Sequence, residues 1–327
     1  MKVVILHDHV PPDAPPELQD NLAQVGLVHR TLTDLGHESI RLPMARTLTE
    51  TSNRLQDLAP DRVFNLVESV WGSGRWIHLV PALVERLGIP CAGNASRAVL
   101  ETTNKLKSKE RLRQAGLPTP EWITFGDDCP EEVTSMRYII KSIWEHGSLG
   151  LDETSVRPAD ELYGLRREME HRRHALGGDC YAEEYIDGRE FNLSVLAGDK
   201  GPEVLPPAEI VFLGYGPEMT RIVGYRAKWV ADSHEYSHTP RRFEPAAEDE
   251  ALVRSLIDLS RRCWDLFRLR GWARVDFRVD PSGRPFILEV NTNPCLSDDA
   301  GFMAAARQAG LAPKTVIDRV LRDVPSL

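Results

Sequence analysis

The chain has 327 residues, of which 42% are hydrophobic and 27% charged, as is ordinary for a globular protein with a large core. Its formal net charge of −9 disfavours broad attraction to nucleic acid, and no apolar run approaches the roughly 20 residues that span a bilayer. The five cysteines are scattered and lack Cys-x-x-Cys spacing, so neither disulfides nor zinc is expected. We therefore expect a cytoplasmic protein whose partners are neither nucleic acids nor membranes.

The first part of the chain alternates strand and helix signals. Short apolar runs in "KVVIL" and "DRVFNLVE" predict two strands. The segments "LQDNLAQVGLVHRTLTDLG" and "HLVPALVERLG" have helical spacing and end at Gly36 and Gly88, because glycine is favoured just past a helix end. Strands that alternate with helices predict a parallel sheet covered on both faces. We assign this α/β unit to residues 1–103.

The middle of the chain carries a different order of signals. A helical pattern runs from Ala95 to Ala115 and stops at "GLPTP". "RYIIKSI" then predicts a strand, "PADELYGLRREMEHRRHAL" a charged helix, and "DCYAEEYIDG" and "REFNLSVLAGD" two further strands. A second boundary is placed after residue 187, which gives a central unit of residues 104–187 and a C-terminal unit of residues 188–327.

A hairpin is predicted by "WARVDFRVD" and "RPFILEVN", joined by "DPSG", in which proline and glycine stand where a type I turn prefers them. Pairing Val279 with Arg284 sets a register in which Arg274 lies opposite Glu289. In this register four polar side chains share one face, although they stand among apolar residues: Arg274, Asp276, Glu289 and Asn291.

Three of these side chains offer oxygen atoms that suit a hard cation. Mg²⁺ takes oxygen ligands, keeps several waters and usually shares its site with substrate phosphates. A solvated face with charge pairs across the strands is the alternative interpretation. Because apolar neighbours flank both positions and unpaired charge is costly there, the pattern favours a metal site formed by Asp276, Glu289 and Asn291.

The segment "GWARVDFRVDPSGRPFILEVNTNPCLS" resembles the metal-binding hairpin of ATP-grasp ligases, especially of the D-alanine–D-alanine ligase branch. The resemblance continues in "GIPCAGNASRAVLETTNKLKSKERLRQAGLPTP", "YIIKSIWEHGSLG", "YAEEYIDGREFNLSVL" and "YRAKW", so that it covers nearly the whole chain. It implies an N-terminal α/β (pre-ATP-grasp) domain, residues 1–103, followed by an ATP-grasp fold of two α+β subdomains, residues 104–187 and 188–327.

The resemblance also implies how ATP is held. Two lysines match those that hold the phosphates, "EHGSLG" matches a loop that closes over them, and "EEYI" matches the segment that contacts adenine. Solvent-exposed lysines and a half-exposed strand are the alternative interpretations of the same residues. The implied ATP-binding residues are Lys105, Lys141, Glu145, Ser148, Gly150, Glu183, Glu184, Ile186, Glu190 (for the ribose) and Lys228.

The implied activity is that of a carboxylate–amine ligase. ATP phosphorylates a carboxylate, and an amine then displaces phosphate from the acylphosphate to form an amide bond. The residues that match catalytic positions are Arg274, Lys228 and Ser148, and Asp276, Glu289 and Asn291 match the magnesium ligands. The implied cofactors are ATP and Mg²⁺, with two ions expected and Mn²⁺ as an alternative metal, and the family analogy suggests a homodimer.

The substrate-facing positions depart from the D-alanine–D-alanine ligase pattern. That branch has a glycine-rich loop after the first strand, whereas this chain has "HDHVPPDAPPELQD" without glycine. Glu68 stands where the branch has a histidine, Ala300 stands where it has a serine, and Asp298 and Asp299 precede Ala300. We therefore predict that Glu68, Asp298 and Asp299 face a cationic or larger polar amine, and that the substrate is not D-alanine.

Other interpretations of these departures stay open. Ser297 or Asp298 could cap the helix at "FMAAARQAG" instead of serving a substrate. The chain could be a D-alanine–D-alanine ligase with divergent loops, or a nucleotide-binding regulatory protein that has lost catalysis. The retained lysines and metal-site residues argue against the last alternative.

Overall fold

A computed structural model of the protein describes residues 1–125, 137–158 and 162–324. Three sheets follow one another along the chain, and each lies within one of the three predicted units. The fold therefore combines an α/β unit with two mixed units, as the sequence predicts. Among the helices of the described residues, none is both long and apolar enough to cross a membrane. The exact unit boundaries stay a prediction.

The N-terminal sheet has four parallel strands in the order β2-β1-β3-β4. Its strands and helices are β1 (Lys2–His7), α1 (Pro16–Asp34), β2 (Glu38–Pro43), α2 (Leu48–Leu58), β3 (Arg62–Leu66), α3 (Leu79–Arg86) and β4 (Cys91–Ala92). Alternate residues of β1 enter two separate cores, so both faces of the sheet are covered. The two predicted helix ends are confirmed, because Gly36 and Gly88 follow α1 and α3 with φ of 81° and 68°.

The central sheet has four antiparallel strands in the order β5-β8-β6-β7. Helix α4 (Ser96–Thr103) ends the N-terminal unit. The elements of the central unit are α5 (Lys105–Gln114), β5 (Trp122–Ile123), β6 (Arg137–Ser142), β7 (Val156–Pro158), α6 (Leu162–Arg172) and β8 (Cys180–Glu184). Residues 159–161, where the charged helix was predicted to begin, lie outside the described residues.

The helix predicted from Ala95 to Ala115 is in fact two helices. Asn104 leaves the helical conformation (φ −77°, ψ 98°), and its side chain accepts the Lys107 backbone N–H at 3.0 Å. An asparagine that satisfies a free N–H in this way starts a new helix. The break places Lys105 in the first turn of α5, where its backbone N–H donates to the Ile143 carbonyl just after β6.

The C-terminal sheet has the order β12-β11-β9-β13-β14, with β10 paired to β9. Its elements are β9 (Arg189–Leu196), β10 (Glu203–Val204), β11 (Ala208–Ile210), α7 (Tyr225–Trp229), α8 (His234–Ser237), β12 (Arg241–Arg242), α9 (Glu250–Phe267), β13 (Trp272–Val279), β14 (Pro285–Asn291), α10 (Gly301–Gln308) and α11 (Pro313–Arg322). Apolar residues of α10 and α11 pack into the core on one face of the N-terminal sheet. The end of the chain thus fixes the C-terminal unit against the N-terminal one.

The predicted hairpin forms, but the predicted register is wrong. Val279 pairs with Pro285 rather than Arg284, and the register shifts again between Asp276 and Phe277 through a bulge. Asp276 therefore faces Glu289, and Arg274 faces Asn291 rather than Glu289. Without the extra residue of the bulge, Glu289 would point to the other face of the sheet, because side chains alternate along a strand. The bulge therefore keeps the four polar residues on one face.

Candidate active site

A cleft of about 570 Å³ lies where the three units meet. Its walls contain polar residues of the β13–β14 hairpin, the loop after β6, the segment that contains α7 and α8, and the N-terminal unit. Almost all the predicted site residues line this cleft: Glu68, Lys105, Lys141, Glu145, Ser148, Glu183, Glu184, Ile186, Glu190, Lys228, Arg274, Asp276, Glu289, Asn291 and Asp299. The cleft has the size of sites that hold small molecules.

The predicted metal ligands lie on neighbouring strands at the cleft wall. Asp276 accepts two hydrogen bonds from the Arg274 guanidinium, at 2.7 and 2.8 Å, and a third from Asn192 at 2.9 Å. Glu289 lies 2.9 Å from Nδ1 of His146. Two carboxylates and an amide that face one another are hard oxygen donors, the set that Mg²⁺ takes together with water and phosphate.

The group Asp276, Glu289 and Asn291 therefore fits a magnesium ion. It contains only two carboxylates, and within the described part of the chain no group of three or more His, Cys, Asp or Glu side chains is placed to hold a metal. A site with few protein ligands leaves positions for phosphate oxygens, which is the usual arrangement for Mg²⁺ beside a nucleotide.

Cations surround the carboxylate of Glu289. Although burial opposes ionisation, the charge of Lys105 and the contact with His146 hold the pKa of Glu289 well below its usual range, and Lys228 acts in the same direction. Burial lowers the pKa of both lysines, and for Lys228 the charge of Arg274 lowers it further. The carboxylate is thus ionised at neutral pH, as a metal ligand must be.

Lys141 is held by a buried ion-pair network. Its ammonium pairs with Oε1 of Glu183, while Oε2 of the same carboxylate lies 2.7 Å from Nζ of Lys109. Glu183 and Lys109 are each about 1% exposed at the side chain, so the pairing is screened little by water. The Glu183 carboxylate therefore orients Lys141 at the cleft wall, and the contact of Glu183 with the nucleotide stays a prediction.

The "EHGSLG" loop is tied to its neighbours on both sides. The Glu145 carboxylate accepts hydrogen bonds from Ser73 Oγ at 2.8 Å and from the Gly74 N–H, while the Glu145 carbonyl accepts one from Lys105 Nζ at 2.7 Å. On the other side, Ser148 Oγ donates to the Val223 carbonyl at 2.7 Å. The loop therefore links the N-terminal unit to the segment just before α7.

Gly150 lies in the same loop but does not line the cleft. It has φ of +69°, and a Cβ at this position would come within 2.9 Å of Leu176 and 3.1 Å of the Ala175 carbonyl. Both the conformation and the close approach require glycine. Gly150 therefore shapes the loop, and its place among the ATP-binding residues stays a prediction.

One end of the cleft is apolar and flanked by polar groups. Ile139, Ile186 and Ile210 are each less than 9% exposed and lie beside Glu184. Glu190 lies next to this end, where its carboxylate pairs with Arg278 at 3.3 Å. An apolar slot with carboxylates at its edge suits an adenine ring and the hydroxyl groups of a ribose.

The opposite end of the cleft is acidic. Glu68 and Asp20 line it, and Asp8 lies behind them, where it accepts the backbone N–H groups of Glu68 and Ser69 at 3.1 Å each. Gln24 donates a hydrogen bond to the Glu68 carboxylate. Burial, followed by the charge of Asp8, raises the pKa of Glu68 to about 8, and burial raises that of Asp8 to about 6.

The two aspartates after the hairpin differ in position. Asp299 lines the cleft, and its carboxylate accepts a hydrogen bond from Ser297 at 3.0 Å. Asp298 is exposed, does not line the cleft and lies 3.9 Å from Arg30, so its predicted contact with a substrate is not supported. The predicted helix caps are also wrong, because α10 begins at Gly301 after Ala300 without a side-chain cap.

Comparison with known proteins identifies the family. The family model "D-ala D-ala ligase C-terminus" matches residues 112–322, more than half of the chain. The chain belongs to the D-alanine–D-alanine ligase family. It is 31% identical over 274 residues to a D-alanine–D-alanine ligase of Pseudomonas putida, which covers 83% of this chain and 78% of the relative. An uncharacterised protein of Sinorhizobium fredii is 31% identical over 297 residues, 89% of this chain and 84% of that protein.

Solved structures support the same fold. The D-alanine–D-alanine ligase of Bacillus anthracis, complexed with ATP, aligns with a TM-score of 0.74 over 99% of this chain and 97% of that chain, at 19% identity. Together with the family match, this fold identifies the protein as an ATP-grasp carboxylate–amine ligase, which forms a carbon–nitrogen bond. The family implies ATP and Mg²⁺ as its cofactors.

Several charged residues of this ligase site were not predicted from sequence: His146, Lys109, Arg278, Asp20 and Arg241. Arg278 shares the strand face of Arg274 and Asp276, so its alternation along β13 was an available signal. Lys109 lies one helical turn after Lys105 in α5, which was a weaker signal. His146 lies within the predicted "EHGSLG" loop, which was the available signal for it. Asp20 comes from helix α1 and Arg241 from the short strand β12, and the local sequence carries no pattern that points to either.

Proposed function

We propose that this ligase activates a carboxylate as an acylphosphate and joins it to an amine, and that its substrates are not two molecules of D-alanine. The acidic end of the cleft is the observation that supports substrates other than two molecules of D-alanine. Glu68 and Asp20 line it, Asp8 lies behind, and within the described residues none of the three forms an ion pair. Unpaired carboxylates in a partly buried site favour a ligand with a cationic group.

In the first step, a carboxylate oxygen attacks the γ-phosphorus of ATP while the bond to the β,γ-bridging oxygen breaks and ADP leaves. Lys105 and Lys141 supply fixed positive charge for the phosphates, and the ion pair with Glu183 keeps Lys141 oriented. Bound Mg²⁺, held by Asp276, Glu289 and Asn291, would supply further neutralisation of phosphate charge.

In the second step, the amine nitrogen attacks the acyl carbon and the carbonyl oxygen becomes an oxyanion. Collapse of this intermediate breaks the carbon–oxygen bond, releases phosphate and leaves an amide after the nitrogen loses a proton. The guanidinium of Arg274, fixed by two hydrogen bonds to Asp276, offers preorganised positive charge for the oxyanion. Lys228 lines the same part of the cleft.

Water must be kept from an acylphosphate, because hydrolysis would waste the activated acid. Three contacts hold the α7 segment over the "EHGSLG" loop. They are Ser148 Oγ to the Val223 carbonyl at 2.7 Å, the Tyr225 N–H to the Leu151 carbonyl at 2.8 Å, and Trp229 Nε1 to the Gly147 carbonyl at 3.0 Å. These contacts support a covering role for the segment.

Turnover with a defined panel tests the proposal. The purified protein is incubated with ATP, Mg²⁺ and pairs of L- and D-amino acids, and both ADP release and amide products are measured by mass spectrometry. We expect D-alanine alone to leave ADP release at background. For an active pair, ¹⁸O in the donor carboxylate should appear in the released phosphate, because the acylphosphate transfers one carboxylate oxygen to phosphorus. Unlabelled phosphate would contradict the acylphosphate route.

Substitution of Glu68 tests the contact with a cationic substrate. Glu68→Gln keeps the shape but removes the carboxyl group that a bound cation would lead to ionise, so the KM for a cationic amine should rise about 10-fold or more with little change in the KM for ATP. Glu38→Gln, a matched change at an exposed position of β2, should alter neither constant. An unchanged KM in the Glu68 variant would assign this residue to structure alone.

A D-alanine–D-alanine ligase with divergent loops is the second candidate function, because a 31% identical relative carries that name. Robust synthesis of D-alanyl-D-alanine would establish it and overturn the proposed substrate class. If no acid and amine pair gives product although ATP binds, the protein is instead a nucleotide-binding protein without ligase activity, and the proposed function is wrong.

A further inference from the structure

Arg241 places an unpaired guanidinium in the wall of the cleft. It lies in the short strand β12 and lines the cleft beside Ala300 and Gly301. Its Nη1 donates to the backbone carbonyl of Asp299 at 3.0 Å, and a Cβ added at Gly301 would lie 3.4 Å from its Nε. Within the described residues Arg241 forms no ion pair. The next residue, Arg242, pairs with Glu209 at 2.5 Å, away from the cleft.

Most of the charged groups around the Arg241 guanidinium are positive. The guanidinium lies against the first residue of α10, a helix that begins without a side-chain cap and whose first N–H groups carry partial positive charge. Partial burial, and then the charge of Arg274, lower the pKa of Arg241, and Arg307 acts in the same direction. The charge of Asp299 acts in the opposite direction and raises the pKa of Arg241, although the Asp299 carboxylate already accepts a hydrogen bond from Ser297. An anion between these groups would relieve the repulsion.

We infer that Arg241 is a specificity-determining residue whose guanidinium binds a carboxylate carried by the amine substrate. This inference rests on the proposed function. An amine substrate that carries a carboxylate is an amino acid or a peptide rather than a simple amine. A planar guanidinium suits this group because it presents parallel N–H donors to the two carboxylate oxygens.

The position of Arg241 favours the amine substrate over the phosphates of ATP. Its principal electrostatic neighbours are Arg274, Asp299, Tyr236 and Arg307, not the three lysines of the phosphate end. The chain segment from Cys295 to Gly301 leads from the hairpin to Arg241 and also contacts the acidic end, where Cys295 Sγ lies 3.0 Å from Asp20. Arg241 thus lies beyond Arg274, on the side of the cleft that is left for substrate.

A competition assay tests this assignment for whichever amino acid serves as the carboxylate donor. Each reaction contains ATP, Mg²⁺ and equal amounts of one amino acid and its α-carboxamide, taken in turn from both enantiomers of alanine, serine and lysine. The carboxamide can serve only as the amine, so the ratio of free-acid to amide product reports kcat/KM for the two amine substrates directly. The wild-type protein should favour the free acid by about 10-fold or more.

Two variants with the same change of charge separate the role of Arg241 from general effects. Arg241→Gln should lower the product ratio about 10- to 100-fold, through KM for the amine more than through kcat, because a charge-assisted contact to the substrate is lost. Arg242→Gln, at the neighbouring position outside the cleft, should keep the wild-type ratio. The KM for ATP should be unchanged in both variants.

The possible results have distinct meanings. A product ratio that Arg241→Gln leaves unchanged overturns the carboxylate contact, and so does a wild-type preference for the carboxamide. A raised KM for ATP in Arg241→Gln, with the ratio intact, would show that the guanidinium serves a phosphate instead. Absence of product from every mixture in the wild-type protein overturns the proposed function, and the carboxylate subsite is rejected together with it.

Discussion

The carboxyl group of Glu68 should make the stability of this ligase fall as the pH rises. Glu68 is half-buried beside Asp8 and Asp20, accepts a hydrogen bond from Gln24, and forms no ion pair with any cation of the described residues. Burial and these neighbours raise its pKa from 4.5 to about 8. The substitution Glu68→Gln keeps an oxygen that can accept the hydrogen bond of Gln24 while removing the group that ionises.

The direction in which stability changes with pH follows from how many protons the folded and unfolded states bind. Between pH 4.5 and about 8, the folded state holds a proton on Glu68 that the unfolded chain has lost, so the free energy of unfolding decreases as the pH rises through this window. The interval of about 3.5 pH units corresponds to about 5 kcal/mol as an upper bound, at about 1.4 kcal/mol per unit. Because the side chain keeps some exposure and titrates together with Asp8, we expect about 2 kcal/mol.

Urea unfolding at pH 5.5 and pH 8.5 measures this effect. The wild-type protein should lose about 1.5 kcal/mol more than Glu68→Gln between the two pH values, which span about 2.5 of the 3.5 pH units, so that the variant becomes the more stable protein at pH 8.5. Glu38→Gln, on the exposed edge strand β2, should follow the wild-type protein. If the wild-type protein and Glu68→Gln show the same dependence on pH, Glu68 is already ionised in the folded state and the argument from its burial is wrong.

The remaining predictions concern the nucleotide and metal end of the cleft. Asp276→Asn and Glu289→Gln should each reduce kcat about 100-fold or more with Mg²⁺ present, while the protein keeps its wild-type circular dichroism spectrum, and near-normal turnover in either variant would remove the metal-site assignment. Lys141→Ala should raise the Kd for ATP as well as lower turnover, whereas Arg274→Ala should lower kcat and leave the Kd for ATP nearly unchanged. A variant of Arg274 that loses only ATP affinity would contradict its role at the oxyanion.

The composition of the metal face was predictable from sequence, because it depends on alternation along two strands. Asp276, Glu289 and Asn291 stand among apolar residues at spacings that bring them to one side of a hairpin. The register was not predictable, because the bulge beside Asp276 arises from how β13 pairs with both β14 and β9. Sequence spacing determines which face a residue takes only where the pairing is regular.

The roles of single carboxylates were harder to predict, because they depend on contacts between distant segments. The resemblance implies a contact of Glu183 with ATP, but nothing in the local sequence indicates that Lys109, in a helix more than 70 positions earlier, joins the Glu183 carboxylate in a buried network with Lys141. Asp298 and Asp299 are adjacent in sequence, yet only Asp299 lines the cleft. The ATP-binding roles, the number of metal ions and the homodimer suggested by the family stay predictions.

The distribution of charge pairs divides the cleft into two functional halves. At the proposed nucleotide end, Lys141 and Arg274 lie in ion pairs with Glu183 and Asp276, and such pairs fix the orientation of the groups that we propose contact a phosphate and the oxyanion, respectively. At the substrate end, the acidic group around Glu68 and the guanidinium of Arg241 each form no ion pair within the described residues. An acidic wall that a bound cation would ionise and an unpaired guanidinium in a separate wall match the cationic side chain and the carboxylate of an amino acid. A substrate with only one of these groups would leave the other wall unpaired, and the cost of that unpaired charge is a physical basis for selecting amino acids over simple amines or acids.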